Sequence, residues 1–153
     1  MRTLDRLQDT LILRPLREAD ITDEYVGWWK KRNFTKHLDT KNLIKEEAID
    51  HIRECSNTGC FLCAVTVDDV HVGNVKLNQD RDLSIIIFLP YQGKGYATAA
   101  IEKMAACAGG RITAEVRSGN IGSLRAFEKA GFIETGRTQD VVYLANNPEL
   151  IGT

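Results

Sequence analysis

The sequence predicts an α/β protein built on a mixed, largely antiparallel sheet with one parallel strand pair, flanked by helices. Three patterns carry that prediction. Phe61 to Val67 and Val70 to Leu77 are β-prone runs on either side of Asp68-Asp69, which reads as a hairpin. Leu83 to Leu89 is a short apolar run rich in β-branched residues; Pro90-Tyr91-Gln92-Gly93-Lys94-Gly95 follows it, then a helical pattern from Tyr96 to Ala108 with Ala97, Ile101, Met104 and Ala108 on one face. Arg111 to Val116 completes a strand-helix-strand unit, whose two strands must run parallel with a right-handed crossover.

The remaining elements follow in order. Thr10 to Leu16 alternates and ends at a proline, as a first strand does. A helix is predicted from Thr22, with Asp23 and Glu24 early and Lys30 and Lys31 late, the charge order that the helix dipole favours. Tyr25, Trp28 and Trp29 lie along it; aromatics at helical spacing belong to the core first, and to a pocket wall second. A second helix, from about Asn42 to Cys55, carries Ile44, Ala48, Ile49 and Ile52 as its apolar stripe and closes at Asn57-Thr58-Gly59. Gly73 inside a strand marks a bulge or a close approach to the backbone. After Asn120 come a helix over about Ser123 to Ala130, a stop at Gly131, a strand from Phe132 and a last strand within Gln139 to Ala145. No repeat, low-complexity tract or linker interrupts the chain, so one domain spanning 1–153 is expected.

Composition bounds the function. At 43% hydrophobic and 27% charged, the 153 residues match a soluble globular domain with a real core. No apolar run approaches the roughly 18 residues of a membrane span. Arg2, Asp5, Arg6 and Asp9 leave no signal-peptide core, so a cytoplasmic protein with no membrane partner is expected. A net charge of −1 gives no general attraction to nucleic acid, so any anion site must be local. Cys60 and Cys63 have the spacing of half a zinc site, but no second pair follows and Cys63 falls in a strand pattern; no metal is expected. His37, His51 and His71 are scattered, without the setting of a hydrolase triad or a zinc helix.

The local anion site is legible at the glycine loop. A loop feeding its N–H groups into a helix N-terminus gathers unpaired donors and the positive end of the dipole. Lys94 is followed by Gly95 rather than Ser or Thr, so this is no P-loop, and the glycine spacing is not that of a dinucleotide fold. Gln92-Gly93-Lys94-Gly95-Tyr96-Ala97 resembles instead the Gln/Arg-x-x-Gly-x-Gly/Ala pyrophosphate loop of the GNAT superfamily, the acyl-coenzyme A dependent N-acetyltransferases. Asn120 to Phe132 resembles the second segment of that family: Asn-x-x-Ser/Ala, an amphipathic helix, then Gly-Phe. Leu13-Arg14-Pro15-Leu16 and the Trp28-Trp29 helix resemble the branch containing the ribosomal-protein N-terminal acetyltransferases, and the resemblance covers roughly residues 10–136.

The resemblance implies a GNAT-type fold whose parallel pair splays apart, with acetyl-CoA as cosubstrate. The backbone of Ile86, Ile87 and Phe88 would take the pantetheine arm and polarise the thioester carbonyl, while Gln92, Gly93, Lys94, Gly95, Tyr96, Ala97 and Thr98 hold the diphosphate. Asn120 would bond the pantetheine and leave Ser123 as helix cap; read from the residues alone, Asn120 is itself a good cap. Lys94, Arg125 and Lys129 are candidates for the nucleotide phosphates, although exposed basic residues on helices are ordinarily just solvated. Glu115 matches the family's general base, with a surface or ion-paired glutamate as the plain alternative. Where many members carry a tyrosine able to protonate the leaving sulfur, this chain has Phe127, so Ser123, Tyr91, Tyr143 or solvent must serve.

The implied reaction is acetyl transfer to a primary amine by direct attack, with a small molecule or amino sugar favoured as acceptor. The alternatives are a protein N-terminus, such as that of a ribosomal protein, an antibiotic or a polyamine as acceptor, a non-catalytic acyl-CoA binding module, which the Phe127 departure supports, and a nucleotide-binding domain of another kind. The acceptor pocket should come from the first two helices and the last hairpin. The expected partners are acetyl-CoA and an amine, with no nucleic acid, in a monomer or homodimer.

Overall fold

In the computed structural model, residues 10–33 and 40–146 are described. Four strands, β1 (Leu11–Pro15), β2 (Phe61–Val67), β3 (Val70–Leu77) and β4 (Leu83–Ile87), pair antiparallel in that order. Three more, β5 (Thr113–Arg117), β6 (Ile133–Arg137) and β7 (Val141–Ala145), form a second antiparallel sheet in the order β5-β7-β6. The helices are α1 (Asp23–Asn33), α2 (Thr40–Thr58), α3 (Tyr96–Ala108) and α4 (Ile121–Lys129). Among the described residues no helix is long and apolar enough to cross a membrane.

The two sheets meet at one point. Asp82 and Thr113 form a single parallel bridge, Thr113 N donates to Arg81 O at 3.0 Å, and Arg81 Nε donates to Arg111 O at 2.8 Å. From that pinned end β4 and β5 diverge with no further ladder between them. The parallel pair is therefore splayed, and its edges face a cleft instead of each other.

Side-chain alternation decides what covers each face of the first sheet. Leu11, Val65, Val75, Leu77, Leu83 and Ile87 point to one side, where Ala99, Ala100, Ile101 and Met104 of α3 bury against them. Ala64 points to the other side, into a cluster with Leu16, Ile21, Tyr25, Val26 and Phe88, capped by Trp28, Trp29 and the α2 residues Ala48, Ile49 and Ile52. The side chain of Ile44, assigned to the α2 stripe from the sequence, lies outside the described residues.

Local chemistry explains the joints. Asp68 (φ 50°) and Asp69 (φ 66°) both take the left-handed conformation that a two-residue hairpin turn needs to match strand twist. The β2–β3 register shifts between Val65 and Thr66, opposite Gly73 and His71, so this glycine sits at a bulge. The strand predicted to reach Leu89 ends at Ile87. Pro90 fixes a 3-10 turn over Leu89–Tyr91, and Gln92 Nε2 braces the strand end by donating to Ile87 O at 2.9 Å. Cys60 lies 2.8 Å from Cys55 Sγ, and burial, with that neighbouring thiol, pushes the Cys60 thiol up to about 12. Among the described residues no three His, Cys, Asp or Glu side chains come together as metal ligands.

The turn entering α1 is held by charge. Asp20 accepts both arms of the Arg14 guanidinium at 2.7 and 2.8 Å and the Arg17 amide at 2.8 Å. Burial opposes ionisation of this carboxyl, but the Arg14 bonds and then the Arg17 amide outweigh it and hold the pKa below its ordinary value. A depressed folded pKa gives stability that is present above the unfolded value and lost as pH falls through the folded one. Asp20→Asn should therefore cost about 2 kcal/mol at pH 7, the scale of charge-assisted bonds. In denaturant titrations the gap to wild type should shrink as pH drops below about 4; a gap constant with pH would place the effect elsewhere.

Candidate active site

The splay opens a cleft of about 390 Å³ between β4, the 92–98 loop, and the starts of α3 and α4. Gly93 (φ 78°) and Gly95 (φ 84°) take left-handed backbone that other residues adopt only with strain, and Gly95 occupies the N-cap position of α3. Because glycine has no side chain, it cannot cap. The first intrahelical bond runs from Ala99 N to Gly95 O, so the amides of Tyr96, Ala97 and Thr98 have no side-chain acceptor among the described residues. The α4 N-terminus differs: Asn120 Oδ1 accepts from Ser123 N at 3.2 Å. One helix start is satisfied internally, and the other is left open to an anion.

Most of the residues assigned to this cleft from the sequence line it. Ile86, Ile87, Gln92, Gly93, Gly95, Tyr96, Ala97, Thr98 and Asn120 do; Phe88 and Lys94 do not. Phe88 turns the other way, stacking on Trp28 (ring centroids 6.3 Å) and meeting Tyr25 edge-on (5.7 Å). Its amide is also spent, donating to Val72 O at 2.8 Å. Since amides alternate sides along a strand, the bond from Phe88 to β3 turns the amides of Ile85 and Ile87 towards the splay. The donor expected over Ile86 to Phe88 thus narrows to Ile87, with Ile85 beside it. Asn120, not Ser123, is the cap, and its Nδ2 has no partner among the described residues. Lys94 is exposed, while Arg125 and Lys129, one turn apart on α4, line the cleft.

A second pocket, of about 430 Å³, lies on the opposite side of β4 and shares Ile85 and Ile86 with the first. Tyr25 and Trp29 of α1, Glu47, Ala48 and His51 of α2, and Asn74 and Lys76 of β3 enclose it. Burial first, and then the charge of Lys76, hold the His51 imidazole below its ordinary pKa, so it is neutral at pH 7. Asn74 is a polar group buried to 6% exposure, and the sequence alone gave no reason to select it. The one signal was compositional: Asn74 and Lys76, with His71, are the polar residues of an otherwise apolar strand.

Glu115 lines neither of these two spaces. It sits in a shallow groove with Asp82, Thr135, Gly136 and Tyr143, directly opposite Tyr143 in the β5–β7 register. The parallel bridge from Asp82 to Thr113, reinforced by Thr113 Oγ1 donating to Asp82 Oδ1 at 2.9 Å, fixes its side of the sheet. Asp82, Ser84 and Ile86 share one face of β4, and Thr113 and Glu115 share that same face of β5. The carboxylate is therefore on the face that carries the second pocket. Burial, and the charges of Glu115 and Asp80, keep the Asp82 carboxyl above its ordinary pKa. Phe127 is 2% exposed and packs against Phe132 at 5.1 Å, away from both clefts. Of the hydroxyls considered in its place, Tyr91 and Ser123 line the first cleft and Tyr143 lies in the shallow groove.

A family model described as an acetyltransferase (GNAT) domain matches residues 10–133. Among solved structures, the microcin C7 self-immunity acetyltransferase MccE, in complex with acetyl-CoA and AMP, is similar over 90% of this chain and 92% of its own, with a TM-score of 0.72 and 17% identity. The ribosomal L7/L12 α-N-protein acetyltransferase RimL aligns over 89% of each chain at a TM-score of 0.73 and 15% identity. The spermidine N-acetyltransferase from Vibrio cholerae, in complex with CoA and spermine, covers 90% of this chain and 95% of its own at a TM-score of 0.69 and 23% identity. Likeness at these identities shows a shared fold. No curated protein sequence matches the chain.

Proposed function

Because the chain belongs to the GNAT acetyltransferase family, we propose that it moves an acetyl group from acetyl-CoA to the primary amine of a small molecule or amino sugar by direct attack. The observation that carries this reading is the pair of clefts meeting across β4: an open helix N-terminus serves one, and a pocket sized for a small molecule forms the other. The diphosphate falls to the free amides of Tyr96, Ala97 and Thr98, with Gln92 holding the loop to the strand end.

Acetyl-CoA, when bound, supplies the thioester carbon that the amine attacks. The chain's own groups do the rest. The Ile87 amide, turned into the splay, donates to the carbonyl oxygen as charge gathers there. An alkylammonium has a pKa of roughly 10 and must lose a proton to react. Glu115, on the acceptor face of the sheet, receives that proton directly or through water. Phe127 can give no proton to the departing thiolate; a thiol pKa near 8.5 makes that leaving group tolerable without one.

Two measurements test the reading. Screening an amine panel for acetyl-CoA dependent thiol release should find at least one acceptor, whereas tight coenzyme binding with no turnover across the panel would favour a binding module. Gly95→Trp should weaken coenzyme A binding about 10-fold or more by calorimetry, since the indole fills the space a phosphate needs and the left-handed position strains it. Equal affinity in a folded variant would mean that the loop does not hold the diphosphate.

A further inference from the structure

The floor of the acceptor pocket specifies more than an amine, if the acetyl-transfer reading above holds. The registers Leu62↔Lys76↔Ser84 and Ala64↔Asn74↔Ile86 lay two rows of side chains across β2, β3 and β4. The parallel bridge between Asp82 and Thr113 puts Glu115, two positions further along β5, on the same face as the first row. Lys76 is half-buried in the middle of that row, and among the described residues no carboxylate lies within ion-pair distance of its Nζ. In the described lining the one carboxylate is Glu47, and it is exposed.

A second unspent donor stands in the next row. His71 Nε2 lies 2.8 Å from Asn74 Oδ1, and Asn74 Nδ2 lies 2.9 Å from Tyr25 Oη. With the Asn74 amide oriented this way, the proton assignment follows. An amide oxygen can only accept, so His71 donates to Asn74; the amide nitrogen can only donate, so Tyr25 accepts. The phenol is left with its own proton to give. Stacking on His71 (5.7 Å) and edge contact with Phe88 (5.7 Å) fix its ring, which is 5% exposed. One residue, Val75, separates Asn74 from Lys76, so the two share a face of β3 with Cα atoms about 7 Å apart, and the phenol is bonded to the first of them.

A polycation entering here meets Lys76 and finds, among the described lining residues, one rim carboxylate for several ammonium groups. An anion meets an ammonium that no described carboxylate pairs, and a phenol O–H beside it. We propose that the acceptor carries, close to the amine that is acetylated, an anionic oxygen group, a carboxylate or a phosphate, seated by Lys76 Nζ and Tyr25 Oη while the amine extends along this face towards Glu115.

The test uses the full chain, acetyl-CoA and matched probes. Glucosamine 6-phosphate is compared with glucosamine, L-phenylalanine with L-phenylalaninamide, and spermidine stands as the polycation. At least one anionic probe should exceed its neutral partner about 10-fold or more in kcat/KM, the scale of a charge-assisted hydrogen bond; which pair separates distinguishes phosphate from carboxylate. Lys76→Gln and Tyr25→Phe should each bring that ratio towards one without changing the KM for acetyl-CoA, which a merely structural loss would not do. Neutral probes or spermidine turned over as well as the anions would overturn the inference and leave acetyl transfer standing. Should no probe release thiol, saturation-transfer NMR with the same probes decides: anionic probes bound no better than neutral ones overturn the inference independently of catalysis.

Discussion

Glu115→Gln is expected to lower the rate of acetyl transfer about 100-fold or more near pH 7 while coenzyme A affinity stays at the wild-type level. Glutamine keeps the shape and hydrogen-bonding reach of the side chain but cannot take a proton. The neighbouring carboxyl makes the experiment sharper. Asp82 is held above its ordinary pKa by burial, then in part by the charge of Glu115. Removing that charge should let Asp82 ionise at lower pH, so some proton-accepting capacity persists on the same face. The acidic limb of kcat/KM against pH should then move in the variant rather than vanish, and Glu115→Gln combined with Asp82→Asn should fall below either single change. A single variant with wild-type turnover would take Glu115 out of the mechanism and leave it as one exposed residue of the β5–β7 face.

The parts of this site that were readable before the fold are those written in contiguous residues. Gln92 to Thr98 lie within one loop and helix start, and the need for small residues and bare amides shows in their spelling. Boundaries were harder where one residue redirects the chain. The run to Leu89 looks like continuous strand, yet Pro90 turns it at Phe88 and sends that ring to the acceptor side. Asn120 presented two chemically sound roles, and only the distance to Ser123 N identifies the cap. Lys76, Asn74 and Tyr25 were beyond sequence reasoning as a group. Tyr25 and Asn74 are 49 positions apart, and their bond depends on how α1 crosses β3. The insertion of β7 between β5 and β6 is likewise a non-local pairing that no local periodicity encodes.

Gly73→Ala should be the most destabilising single-methyl change on the β3–β4 ladder, and its effect should extend to coenzyme binding. A Cβ built at this position lands on the Ile86 carbonyl oxygen, far inside contact distance, and lies 2.9 Å from Ile87 Cδ1 and 3.0 Å from Ile87 Cα. Two of those three contacts are backbone, so no rotamer change relieves them; β3 and β4 must separate. Such overpacking costs about 3 kcal/mol, or roughly 6–12 °C in melting temperature for a chain of this size. Because Gly73 pairs with Ile87, the residue whose amide faces the splay, separation also moves the donor meant for the thioester carbonyl. Coenzyme A should therefore bind more weakly to the folded fraction, and kcat should fall by more than the binding loss. Gly27→Ala provides the contrast. It lies within α1 with nothing within 4 Å of its added Cβ, so it should stabilise by about 0.5–1 kcal/mol through helix propensity. If both variants melted alike, the close approach of β4 to Gly73 would not exist in solution, and the orientation assigned to the Ile87 amide would fall with it.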